Sequence, residues 1–155
     1  MDIFSKRMRS KIMSRIRGRG NKKTEVRLAN FLRKAGIKGW RRHLPIPGRP
    51  DFSFKKQKVA VFVDGCFWHG CPRCFRLPKQ NRAFWRAKIE TNRRRDRSVN
   101  GRLRRLGWKV IRIRECQLKY SYRAVSKISK AIAYKNGFKI KRQLTQKGSK
   151  SFQRS

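Results

Sequence analysis

Seven carboxylates stand in a chain that carries 46 Lys and Arg: Asp2, Glu25, Asp51, Asp64, Glu90, Asp96 and Glu115. Asp51 opens the short apolar run Asp51–Phe54, and Asp64 follows the run Val59–Val63. Joined through a turn at Lys55–Lys58, these runs make an antiparallel hairpin, in which the start of one strand lies beside the end of the other. The two carboxylates then converge on one hard cation such as Mg²⁺. Such an ion polarises a phosphate and activates a water. The alternative is a pair of ordinary turn aspartates, each satisfied by local backbone amides. His69 follows five residues after Asp64, in a glycine-flanked loop beside Trp68. An imidazole there can take a proton from an attacking water. The same histidine also reads as a zinc ligand or as a hydrogen-bonded loop residue. His43 has no evident partner and reads as strand or loop surface.

Cys66-x4-Cys71-x2-Cys74, with Cys116 at the end of a later strand, offers four thiols. Zinc takes four such ligands, and thiols among many Lys and Arg lose their protons readily. Buried free cysteines are the alternative. A structural zinc would stiffen a loop too short for a core of its own. Phe67, Trp68 and Trp85 lie in or beside that loop. Adjacent Phe67 and Trp68 cannot both enter one small core, so at least one is a candidate to stack on a base or wedge between bases. Arg93–Arg97 is a charge run that reads as a solvated helix face; Asp96 within it either pairs structurally or faces His69.

The elements that must position these groups follow from periodicity. Met8, Ile12 and Ile16 have helix spacing on a basic background over 5–17. The first 20 residues, Arg-rich, Ser-containing and acid-poor, also have the composition of a transit peptide. Thr24 is placed to cap a helix whose apolar face is Val26, Leu28, Ala29, Phe31 and Leu32, ended by Gly36. Prolines 45, 47 and 50 mark an irregular stretch. Val59–Val63 is apolar throughout, the mark of a strand buried on both faces. Residues 65–80 form a loop. Residues 81–105 form a helix striped by Val99, Leu103 and Leu106 and closed by Gly107, with Phe84 paired to Ala87 and Lys88. Trp108–Arg114 alternates as a strand, and 121–134 form a last helix around Ala124, Val125, Ile128 and Ile132. The result is an α/β protein with a central mixed β-sheet flanked by helices. Residues 135–155 hold seven basic residues and no acidic one. They read as a basic tail that orders only on a partner.

The balance of charge selects the partner. The formal net charge is +39 over 155 residues. Leu, Val, Ile and Phe make up about 23% of the chain, above the ~20% below which chains stay disordered. A small core is available, but self-repulsion is severe without a polyanion. No apolar run approaches the ~20 residues of a membrane span. Nucleic acid, whose phosphates supply the missing negative charge, is the favoured partner.

Several strings together carry a resemblance. Arg9–Ile16, Thr24-Glu25, Pro47–Phe52 (PGRPDF) and Val61–Cys71 (VFVDGCFWHGC) resemble the very-short-patch repair (Vsr) endonuclease family. So do Phe84-Trp85, Asn92, Arg95–Arg97, Gly107-Trp108 and Glu115-Cys116. The resemblance spans about residues 5–134. It implies a restriction-endonuclease-like fold with a zinc-stabilised loop, over a domain of residues 1–134 followed by the tail 135–155. It implies a monomer that nicks double-stranded DNA on the 5′ side of the mispaired thymine of a T·G mismatch, in the bacterial cytoplasm at the nucleoid. In that family's terms Asp51 binds Mg²⁺ with help from the Val63 carbonyl, and Asp64 stands beside them. His69 is the general base, Asp96 orients it, and Glu25 holds a water on the metal. Phe67, Trp68 and Trp85 form the wedge at the mismatch, and Cys66, Cys71, Cys74 and Cys116 bind zinc.

Three features depart from the pattern. Asp64 is followed by Gly65-Cys66, so the lysine usual in the wider superfamily is missing and His69 takes its role. The zinc set is all cysteine, where the family also uses histidine. The tail 135–155 has no recognised counterpart. The excess of charge supports a second reading: a Vsr-like domain retired from catalysis, serving as a structural rRNA-binding protein of a ribosome or mitochondrial ribosome. The retained carboxylates oppose it, because they repel phosphate unless a cation intervenes.

Overall fold

The computed structural model describes residues 22–133. The expected helix over 5–17 and the basic tail lie outside the described residues. Within them runs a four-stranded sheet in the order β1 (Trp40–Arg41), β2 (Phe52–Phe54), β3 (Val59–Asp64), β4 (Lys109–Arg114). β1, β2 and β3 pair antiparallel, and β3 pairs parallel with β4, so the sheet is mixed. Three α-helices flank it: α1 (Arg27–Lys34), α2 (Arg82–Arg105) and α3 (Ser121–Ala133).

The run Val59–Val63 becomes the middle of the sheet because both of its faces can be covered. Val59 and Val61 point with Phe52, Phe54, Ile111 and Ile113 into a core closed by Leu28 and Leu32 of α1 and by Ala124, Ile128 and Ala131 of α3. Ala60 and Phe62 point the other way, where Leu103 and Val99 of α2 meet them with Ile46, Trp108 and Val110. The alternation of Trp108–Arg114 divides one strand between these two cores. No helix among the described residues is long and apolar enough to cross a membrane.

Both helix ends assigned to glycine hold. After α2 the Gly107 N–H bonds to the Arg104 carbonyl (2.9 Å) and the Trp108 N–H to that of Leu103 (2.9 Å). This double bond needs a left-handed residue, and Gly107 has φ +76°. Gly36 closes α1 in the same way.

Four details differ from the sequence reading. Thr24 is not a cap: the chain is already wound into a π-helical turn over Lys22–Val26, and Thr24 and Glu25 are buried within it. Such one-turn π segments re-aim a side chain inward, here Glu25. Leu106 is 54% exposed, because the reversal at Gly107 leaves it on the rim rather than in the stripe. Phe84 is 61% exposed, on a first turn of α2 that stands clear of the core. Two short elements escaped notice: β1, and a 3₁₀ turn at Glu115–Lys119.

Candidate active site and zinc centre

Register brings the chemistry to one end of the sheet. Phe52 lies opposite Val61, so Asp51 enters the sheet beside the last residues of β3. Its Oδ2 accepts the Val63 N–H at 2.6 Å. Asp64 lies opposite Arg114, so the chain leaves β3 and β4 side by side. Two residues farther along each strand come Cys66 and Cys116, and the Cys116 N–H points at Cys66 Sγ at 3.3 Å.

The polar groups at this end fall into two clusters, each with ligand-type atoms within 4.8 Å of one another: Glu25, His43 and Asp51, and Asp64, His69 and Asp96. Asp51 and Asp64 fall in different clusters, yet stand near enough for the Asp64 charge to act on Asp51. Asp64 is 3% exposed, and its Oδ1 accepts a hydrogen bond from Arg112 Nη1 at 2.7 Å. Its Oδ2 is buried with no hydrogen-bond partner among the described residues.

In the first cluster Glu25 is buried against the Arg42 guanidinium, and His43 Nε2 lies 3.4 Å from Glu25 Oε2. Burial pushes the Asp51 carboxyl up to about 6. The Val63 N–H opposes that rise, while the charges of Glu25 and Asp64 add to it. A partly desolvated carboxylate that gathers other carboxylates is a site that a divalent cation relieves.

In the second cluster His69 Nδ1 lies 2.6 Å from Asp96 Oδ2. A carboxylate only accepts, so Nδ1 carries a proton and Nε2 is the ring nitrogen left to face the site. Burial raises the Asp96 carboxyl, but the His69 hydrogen bond and the Arg112 charge outweigh it and hold Asp96 below its ordinary range. The loop that carries His69 is tied down through its backbone. Asn92 Nδ2 donates to the Trp68 carbonyl (2.8 Å), Arg93 Nη2 to that of Gly70 (2.7 Å) and Arg114 Nη1 to that of His69 (3.1 Å). Gly70 is where α2 comes closest: a Cβ there would sit 2.5 Å from Arg93 Nη2 and 2.7 Å from Ile89 Cγ2.

Next to this loop the Sγ atoms of Cys66, Cys71, Cys74 and Cys116 gather within 4.8 Å of one another. Cys71 and Cys116 are 3.8 Å apart. A tetrahedron with Zn–S bonds of ~2.3 Å has an edge of about 3.8 Å, so the donor set fits zinc in type and spacing. Burial pushes the Cys71 thiol up, but backbone N–H groups of Arg73 and Cys74 bring it down to about 6. Burial pushes the Cys66 thiol well up.

Phe67 is the hub of an aromatic cluster. Its ring centroid lies 5.2 Å from Trp68, 5.0 Å from Trp85 and 5.7 Å from Phe75. Phe84 adds to it, 5.2 Å from Trp85.

The model of the DNA mismatch endonuclease family Vsr matches residues 1–74. A type II nicking enzyme of Neisseria meningitidis serogroup C is 47% identical over 114 residues, covering 72% of this chain and 76% of that protein. This chain belongs to the Vsr family of DNA mismatch endonucleases. The DNA mismatch endonuclease Vsr of Escherichia coli (strain K12) is 38% identical over 120 residues, 76% of each chain. A type II nicking enzyme of Haemophilus parainfluenzae is 39% identical over 114 residues, 72% of this chain and 81% of that protein. Vsr membership makes the α/β architecture restriction-endonuclease-like.

Several site residues of this Vsr-family chain were not singled out by sequence reasoning. His43, read as surface, lines the Asp51 cluster. Arg42, Arg112 and Arg114 each hold part of the site. One signal was available for Arg112: a charged residue in the middle of a strand, between Ile111 and Ile113. Phe84 carried none, since an aromatic at helical spacing reads as core.

Proposed function

We propose that this protein is an endonuclease that nicks one strand of double-stranded DNA at a T·G mismatch, with Mg²⁺ as catalytic cofactor and Zn²⁺ as structural cofactor. One observation carries the reading: an imidazole held by a carboxylate at 2.6 Å stands at the same sheet end as Asp51, whose carboxylate is fixed by the Val63 N–H. Family membership supports the substrate class, and the net charge of +39 supports a polyanionic partner.

In this reading Asp51 and the Val63 carbonyl hold Mg²⁺. Asp64, tied to Arg112, contributes charge at their side. When bound, the ion supplies charge neutralisation at the scissile phosphate and lowers the cost of deprotonating water. His69 takes the proton of the attacking water at Nε2, while Asp96 keeps the opposite N–H in place. Glu25, across from Asp51, accepts a hydrogen bond from water in the site. Hydrolysis is direct and leaves a 5′-phosphate and a 3′-hydroxyl. Phe67, Trp68 and Trp85 press beside the mismatch, on a loop whose lack of its own core the zinc offsets. The protein acts as a monomer, as one domain over 1–134 with the basic tail 135–155 on the phosphates. It acts at the nucleoid of a bacterial cytoplasm, a reading that its bacterial relatives support.

The test is incubation of purified protein with a T·G duplex and Mg²⁺, beside Asp51→Ala and His69→Ala. Wild type should nick the duplex and both variants should not. A nick that persists in both variants removes the site. The absence of nicking on any DNA, with co-sedimentation with ribosomes, favours the rRNA-scaffold alternative.

A further inference from the structure

Arg112 is a cation on the inner side of β4, its side chain only 16% exposed. Each of its three guanidinium nitrogens has a partner. Nη1 donates to Asp64 Oδ1 at 2.7 Å, Nη2 lies 3.1 Å from Asp96 Oδ1, and Nε donates to Asn100 Oδ1 at 3.1 Å. Its carbon stacks 4.5 Å from the centroid of the Phe62 ring. Asp64 and Phe62 share one face of β3, and Asp96 and Asn100 stand one turn apart on α2. A single planar group therefore sets the height and rotation of α2 against the sheet, at the turn that carries Asp96.

His69 faces two carboxylates, not one. Asp96 Oδ2 lies 2.6 Å from Nδ1 and Asp64 Oδ1 lies 3.8 Å from it. The Arg112 fork meets that Asp64 oxygen and leaves the near oxygen of Asp96 to the ring. We propose that Arg112 is the positioning residue of the general base: by clamping Asp64 and Asp96 together it selects Asp96 as the acceptor of the His69 Nδ1–H and so fixes where Nε2 points. This rests on the reading of His69 as base. Lysine is no substitute, because a point charge cannot bridge two carboxylates and an amide in one plane.

The experiment uses the full chain with Arg112→Met, Arg112→Lys and, as control, Arg97→Met, which removes an exposed cation of α2 beside Asp96. Proton NMR of the DNA-free protein follows the downfield His69 Nδ1–H resonance. It should move or vanish in both Arg112 variants and stay in the control. Single-turnover nicking should slow by about 10²-fold in Arg112→Met, the range of a misplaced general base, with duplex affinity within about threefold of wild type. Lysine should restore less than about a tenth of the rate. Adding Arg112→Met to Asp96→Asn should slow the reaction little further, since both act on one hydrogen bond. Arg112→Lys keeps a counter-ion for buried Asp64 and so keeps the fold if the methionine variant loses it. An unchanged resonance, or a wild-type rate, in a folded Arg112→Lys protein overturns the proposal. If wild type nicks no duplex, the proposed function fails, while the resonance still decides whether Arg112 positions the ring.

Discussion

Replacing Asp51 by Asn should make the metal-free protein more stable while abolishing its chemistry. Burial raises this carboxyl from 3.8 to about 6. Each pH unit between folded and unfolded values is worth about 1.4 kcal/mol, so ionised Asp51 costs the fold up to about 3 kcal/mol at pH 7.5. The folded value is the higher one, so stability is fullest below 3.8 and is lost as pH rises through about 6. Asn keeps an oxygen for the Val63 N–H and removes the charge. At pH 7.5, without divalent ions, Asp51→Asn should gain about 1–3 kcal/mol, or roughly 3–9 °C in melting temperature. The gain should shrink to nothing by about pH 4, where wild type is protonated as well. Mg²⁺ should then raise the melting temperature of wild type but not of the variant, because only the protein that binds the ion gains by mass action. Calorimetry across pH 4–8 reads all of this. A variant that melts below wild type at pH 7.5, or a gap that does not change with pH, refutes the argument that Asp51 is held charged against its surroundings.

Four further outcomes follow from the same geometry. Cys71→Ser, or prolonged chelation, should lower bound zinc to less than about half an ion per chain by mass spectrometry and make the 65–80 loop protease-sensitive. Asp96→Asn should reduce the single-turnover nicking rate by about 10²–10⁴-fold, with duplex affinity nearly unchanged, as general base geometry is lost. Gly70→Ala combines a left-handed backbone with a 2.5 Å approach to Arg93 and should cost about 1–3 kcal/mol in chemical denaturation. Duplex affinity should fall by about 10³–10⁵ between 50 and 200 mM salt, measured by fluorescence anisotropy, if about 6–10 phosphates are contacted.

What the residue order determined alone is three of the four described strands and the helices that flank them. A five-residue apolar run rich in valine and following a turn reads as an interior strand, and the alternation of Trp108–Arg114 already divides its side chains between two cores. Glycines at helix ends needed no neighbours to be read, since their reason is local. The four cysteines and the PGRPDF and VFVDGCFWHGC strings were equally legible. Pairing was decided elsewhere. Asp64 meets Arg112, 48 residues away, only because the β3–β4 register brings the two strands side by side. His43 lies 3.4 Å from Glu25, which a π-helical turn carries, and that contact is invisible in the residue order. Charges of one sign repel and of opposite sign attract at a few ångströms with little regard for chain distance, so their partners are a property of the packed molecule. Periodicity reports which face of an element is buried, and it carries no information about which groups from separate elements meet there.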